Sequence, residues 1–97
     1  QLVPANGVYA VRARLEQTLT MLPAMMNIGT RPTFDGTKRS LEVNIFGFNQ
    51  DIYGKTLSVS FYKRIRKEKK FSNVTLLVEQ LKEDEHNIQE YFEETES

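Results

Sequence analysis

The 97-residue chain has no cysteine, no tryptophan, only one histidine and no net charge. Without thiols there are no disulfides, no thiol nucleophiles and no cysteine-held zinc. The lone imidazole, His86, leaves neither a histidine pair for metal binding nor a Ser–His dyad. It lies among Glu83, Asp84 and Glu85 and is read as an exposed side chain without a role. Thirteen Lys and Arg balance thirteen Asp and Glu, which argues against a chain whose main business is coating DNA or an acidic membrane. No apolar run approaches the length of about 18 residues that a membrane span needs. The hydrophobic share of 39%, raised by five glycines, nears the ordinary globular range, so a folded chain is expected. This length makes one domain, residues 1–97, with one modest core. The first residue is Gln1 and no charged-then-apolar leader precedes the fold. We therefore expect a processed chain or a piece of a longer one.

The zero net charge conceals a gradient. Residues 63–70 (KRIRKEKK) carry six basic groups and one acidic, whereas residues 71–97 carry one basic and eight acidic. The plain reading is a solvated basic strand end followed by a solvated acidic helix.

Hydrophobic periodicity predicts strands over the first two-thirds. In Gly7–Leu15, Tyr9, Val11, Ala13 and Leu15 alternate with Val8, Ala10, Arg12 and Arg14, the pattern of a sheet with one dry face. Glu16-Gln17 is a plausible tight connection to a second strand over Thr18–Ile28. Pro23 within that strand suggests an edge position or a bulge, and the three methionines there read as core filling. Gly29–Ser40 reads as a loop, punctuated by Gly29, Pro32 and Asp35-Gly36. Leu41–Phe48 and Leu57–Ile65 resume alternation around a turn at residues 49–56, with Leu57, Val59 and Phe61 inward. A helical part, residues 72–97, starts at a Ser72 or Asn73 cap. Val74, Leu77, Val78 and Leu81 form its apolar stripe, Ile88, Tyr91 and Phe92 continue it, and Asp84 either caps a second helix or lies within one. Residues 93–97 are expected to fray. About four or five antiparallel strands followed by a helix predict a mainly β fold, a small barrel with a helix packed on it.

Glu42 is the most informative position. A carboxylate within an alternating strand is costly unless its face is wet or its charge is used. Its same-face neighbours Phe46 and Phe48 suggest a groove wall holding one acid, suited to a general base within about 2.6–3.2 Å of a substrate hydroxyl. The pattern alone favours an ordinary solvent-facing Glu on an edge strand. In residues 27–33 (NIGTRPT), Gly29 permits close backbone approach and Arg31 offers a planar anion-binding fork, although a turn explains the segment. Residues 63–71 invite a nucleic-acid reading, but the aromatic platforms that single-strand binders need only flank the run, at Tyr62 and Phe71. A flexible basic lid over a small anion accounts for the same residues.

Taken in order, GVYAV (7–11), NIGTRPTF (27–34), LEVNIF (41–46), DIYG (51–54), RIRKEKKF (64–71) and LVEQLKED (77–84) resemble the riboflavin kinase domain. In bacteria that domain is usually the C-terminal half of a bifunctional riboflavin kinase/FAD synthetase. The resemblance runs from Val3 to Phe92 and implies a Greek-key barrel of about six strands with a C-terminal helix. It implies transfer of the ATP γ-phosphate to the 5′-hydroxyl of riboflavin, giving FMN, in a cytoplasmic enzyme with no nucleic-acid or membrane partner. Glu42 matches the family's catalytic glutamate. Arg66, Lys69 and Phe71 match the flavin-contacting flap, with Phe71 able to lie against the isoalloxazine ring. Tyr53 matches a position near the nucleotide. Asn44 and Gly47 stand where the family often has His and Asp. The family's Gly-rich stretch and its Pro-Thr-Ala-Asn motif, whose Thr and Asn hold Mg²⁺ and nucleotide, would precede Gln1. The chain is thus expected to be an N-terminally truncated kinase domain, weakly active alone, whose parent also carries an FMN adenylyltransferase. A barrel lacking its first strand would leave an edge open to pairing between two chains. Two other classes stay in view: a flavin-binding barrel without catalysis, and an OB-like single-strand binder whose affinity falls steeply with salt.

Overall fold

The computed structural model describes residues 4–16, 18–47 and 56–96. Four strands, β1 (Gly7–Leu15), β2 (Leu22–Thr33), β3 (Gly36–Ile45) and β4 (Leu57–Lys67), precede one helix, α1 (Val74–Glu96). They form an antiparallel sheet in the order β3-β2-β1-β4, so β3 and β4 are its edges among the described residues. A mainly antiparallel β fold with a C-terminal helix is what the periodicity predicted. The expected turn at residues 49–56, along with Phe48, Tyr53 and Gln17, lies wholly or mostly outside the described residues.

β1 has two dry faces rather than the expected one. Tyr9, Val11 and Ala13 pack with Ala24, Met26, Ile28 and Ile45 on the side away from the helix. Val8 and Ala10 pack with Met25, Ile88 and Phe92 beneath it. The even positions of β1 are apolar or small enough to accept a helix, and α1 supplies one. Val11 and Ile28 are fully buried on the side that the helix does not cover, as the interior of a barrel-like sheet requires.

Pro23 is not on an edge strand, because β2 lies between β1 and β3. It is tolerated as the second residue of β2. The ladder to β3 begins one residue later, at Ala24–Ile45, and the Pro23 carbonyl still accepts from Phe46 N at 3.1 Å. Thr18 N donates to Leu15 O at 2.9 Å, but β2 starts only at Leu22, so the connection from β1 is longer than the expected two-residue turn. The largest correction concerns residues 29–40. They are not a loop: β2 runs on to Thr33, turns through Phe34-Asp35, and β3 returns from Gly36. From Thr30 to Arg39 every residue is exposed, so neither face carries the apolar alternation by which a strand is recognised.

β4 departs from simple alternation at two register shifts against β1, between Val8 and Tyr9 and between Ala10 and Val11. These shifts let Tyr62, Lys63, Ile65 and Arg66 all reach the helix, where they meet Phe92, Tyr91, the Ile88 cluster and Asp84 respectively. Gly7 makes the upper shift possible. Its φ is +154°, and a Cβ built there would stand 2.6 Å from the Arg66 carbonyl oxygen. Gly7→Ala is therefore expected to cost at least about 2 kcal/mol, read as a lower midpoint in thermal unfolding. An unchanged midpoint would mean that the β1–β4 pairing adjusts freely.

The helix is continuous through Glu83–Glu85, with no break at Asp84, and includes residues 93–96 of the stretch expected to fray. Asn73 is its N-cap, its Oδ1 accepting from Leu76 N at 2.9 Å. The expected stripe holds only over its second half. Ile88 and Phe92 are buried, whereas Val74 is 73% exposed, and Leu77 and Val78 are also exposed. A helix of 23 residues is about 35 Å long, and its first turns project past the sheet.

Candidate functional site

Strand register sets the geometry of the candidate site. Glu42 pairs with Asn27, Asn27 with Val8, and Val8 with Arg66. Directly paired residues share a sheet face, so this row crosses all four strands on the side that carries the helix. Three inter-strand spacings separate its ends by about 14 Å. Glu42 thus stands at the β3 end of a row whose β4 end opens into the segment after Lys67.

The Glu42 carboxylate is solvent-accessible and accepts a bond from Arg31 Nη2 at 3.0 Å, both side chains being 63% exposed. Such a surface pair contributes only about 0–1 kcal/mol to stability. Its structural effect is to hold the carboxylate in one orientation with a guanidinium beside it. Arg31, read from sequence as an anion-binding fork in a turn, instead lies on β2 facing Lys38 of β3. Of the expected groove wall, Phe46 packs at the rim of the helix-side core.

At the far end of the row, Arg66 is committed to the helix. Its Nε lies 2.9 and 3.0 Å from the two carboxylate oxygens of Asp84, and its Nη2 lies 2.8 Å from Oδ2. Nη1 donates to the Lys67 carbonyl at 3.1 Å. Asp84 is 1% exposed, the one buried charged residue among those described, and Gln80 Nε2 donates to its Oδ1 at 3.0 Å. A bidentate fork with further donors is the geometry in which a buried ion pair can offset its desolvation.

Beyond Arg66 the chain runs on past the end of β4 beside Asn6 and Thr30. Glu68 accepts from Thr30 N at 3.2 Å and from Asn6 Nδ2 at 3.1 Å. A Cβ on Gly29 would come within 2.8 Å of Glu68 Oε2, so glycine leaves the room that this carboxylate occupies. Arg39 Nη2 donates to Asn6 Oδ1 at 2.8 Å, and Arg64 donates to the Asn6 carbonyl. The basic run is therefore largely the exposed end of strand β4, the solvated strand end of the plain reading, with several of its side chains partnered.

Phe71 follows, with Lys69 Nζ 5.6 Å and Arg66 Cζ 5.9 Å from its ring centroid. Lys69, Lys70 and Phe71 line one side of a cavity of about 400 Å³, and Leu76, Gln80 and Glu83 line the other. The structure thus brings Lys69 and Phe71 together and sets Arg66 behind them on Asp84. Glu42 does not line this cavity. Tyr53 lies outside the described residues. His86 is exposed, 3.2 Å from Glu90 on its own helix.

Asp84 and Glu68 are the participants that sequence reasoning missed. Asp84 carried a signal: an acid lying between Leu81 and Ile88 on an apolar stripe needs a buried partner. Among the described residues no group of three or more His, Cys, Asp or Glu could hold a metal ion. No helix among the described residues is long and apolar enough to cross a membrane.

Residues 1–92 match the flavokinase family model, described as riboflavin kinase. The chain is 40% identical over 94 residues to a bifunctional riboflavin kinase/FMN adenylyltransferase of Bacillus subtilis, covering 94% of this chain and 29% of that protein. A protein of the same description from Escherichia coli K12 is 39% identical over 92 residues, 95% of this chain and 29% of that one. A solved structure described as a macrolide-efflux protein from Streptococcus pneumoniae superposes with a TM-score of 0.79 at 45% identity, covering 91% of this chain and 28% of that chain. The chain therefore spans under a third of the length of these two curated relatives. With its motifs in order and the family model matched over residues 1–92, the chain belongs to the riboflavin kinase family.

Proposed function

We propose that this chain is the riboflavin-binding and proton-accepting part of a cytoplasmic riboflavin kinase, within a protein that also adenylylates FMN. The observation that carries this reading is the family match over residues 1–92. The sheet supports it by setting a solvent-accessible carboxylate, Glu42, and Arg66 at opposite ends of one row about 14 Å long, with the segment carrying Lys69 and Phe71 following β4 directly.

In this reaction the 5′-oxygen of riboflavin attacks the γ-phosphorus of ATP. The new O–P bond forms as the bond from phosphorus to the bridging oxygen breaks, ADP departs, and the hydroxyl proton passes to Glu42. Phosphoryl transfer asks a protein mainly for positioning and for neutralisation of charge. Glu42 supplies the proton acceptor, and its task becomes favourable as the alcohol oxygen bonds to phosphorus. Arg31, 3.0 Å from the carboxylate, keeps it aimed. Phe71 offers a flat apolar face for the flavin ring, with Lys69 beside it. ATP is bound with a divalent metal in this family, and Tyr53 is the residue of this chain assigned to the nucleotide.

The test is direct. The full-length protein supplied with riboflavin, ATP and Mg²⁺ should form FMN and ADP in equal amounts, separable by chromatography. Quenching of riboflavin fluorescence without turnover would replace the kinase with a flavin-binding module.

A further inference from the structure

We infer that Asp84 is a positioning residue for the flavin-binding flap, acting through Arg66 on the backbone from Lys67 to Phe71. The inference rests on the kinase reading for its ligand, but its physical basis is independent. Three of the bonds that Arg66 makes end on the Asp84 carboxylate. A further bond, from Nη1, ends on the Lys67 carbonyl, the first backbone group of the flap. One guanidinium therefore ties a buried helix residue to the strand–flap junction and also lies 5.9 Å from the centre of the Phe71 ring.

Asp84 is held in place in two ways. It is 1% exposed, and Gln80 one turn earlier holds the oxygen that also receives Arg66 Nε. Gln80 also lines the cavity beside Lys69 and Phe71, so the same helix turn forms the cavity wall and anchors the opposite side. Arg66 was the sequence-based candidate for direct flavin contact. With its donors turned to Asp84 and to Lys67, its role is to hold the flap at a fixed distance from the helix. The distance between those two walls sets the width of the slot a planar ring would enter.

A buried ion pair also stabilises the fold once made, so the experiment must separate the two roles. Replacing both partners by apolar residues, Arg66→Met with Asp84→Leu, removes the charges together and leaves no unpaired one, a change often tolerated by folded proteins. In the full-length protein this double variant should keep an unfolding midpoint near that of the parent. Its amides at 67–71 should nevertheless exchange about tenfold faster with deuterium, and its KM for riboflavin should rise about tenfold or more while kcat is nearly unchanged. A retained midpoint with parental exchange and parental KM would overturn the inference and reduce Asp84 to a structural residue. Faster exchange with an unchanged KM would overturn it equally, because the flap position would then not matter to the flavin.

Arg66→Lys carries the same test if the double variant does not fold. It keeps the opposite charge beside Asp84 but lacks the planar fork that reaches both Asp84 and Lys67. The same rise in KM is expected, and a parental KM would count against the idea. Should the parent protein itself form no FMN, the kinase reading fails. The exchange comparison and riboflavin fluorescence quenching then still decide whether Asp84 positions the flap.

Discussion

Glu42→Gln should lower the rate of riboflavin phosphorylation by at least about a hundredfold, with little change in stability. A positioned general base is typically worth about 10²–10⁴-fold, or about 3–5.5 kcal/mol of barrier. Glutamine retains the size and a hydrogen-bonding oxygen for Arg31 but cannot take up the proton. The fold should scarcely notice, because the ion pair that is lost joins two side chains each 63% exposed, where such pairs contribute about 0–1 kcal/mol. The informative signature is thus a selective one: a collapse of kcat, a KM for riboflavin changed far less, and an unfolding curve close to the parent's. A rate near that of the parent would remove Glu42 from the mechanism. A collapse of both rate and stability would mean instead that the β3 edge depends on this residue for its structure.

Phe92→Ala should be among the most damaging single changes to the fold, costing about 3–5 kcal/mol. Phe92 is 3% exposed and closes the helix-side core with Ile88, Val8, Ala10 and Met25. Its ring also meets Tyr62 and Tyr91 edge-on, with centroids 5.4 and 5.2 Å away, and Arg12 Cζ lies 4.4 Å from its centre. The side chain therefore joins β1, β4 and the helix, and its removal loosens all three contacts at once. Against a total stability of about 5–15 kcal/mol for an ordinary domain, the loss is large. Thermal unfolding followed by circular dichroism should shift down by more than about 12 °C. A shift below about 3 °C would show that α1 is held chiefly elsewhere. Because the projecting first turns of the helix lean little on the sheet, Val78→Ala should by comparison be mild.

Sequence reading and structure part company where burial is decided. The alternation in Gly7–Leu15 identified β1, but the helix that dries its second face was visible only as a stripe of its own, 60 and more residues away. The arm at residues 29–40 escaped because a strand pair exposed on both faces has no hydrophobic period to detect. The partner of Arg66 escaped for a different reason. Strict alternation along β4 would send Lys63 and Arg66 to opposite faces, and the register shifts against β1 bring both onto the helix.

What the linear chain determined by itself was the set of elements with periodic burial, a helix start at Ser72 or Asn73, and the ordered motifs that mark the riboflavin kinase family, Glu42 among them. These are local properties, written in the spacing of apolar residues and in short runs of particular side chains. What only the tertiary structure decided was which charges are used and by what. Glu42 is paired with Arg31 across a strand pair, Arg66 is bound to Asp84 across 18 positions, and Glu68 is bound to Thr30 across 38. The physical reason is that a charge is stabilised by whatever lies within a few ångströms of it, and strand register and helix docking, not sequence distance, set those neighbours.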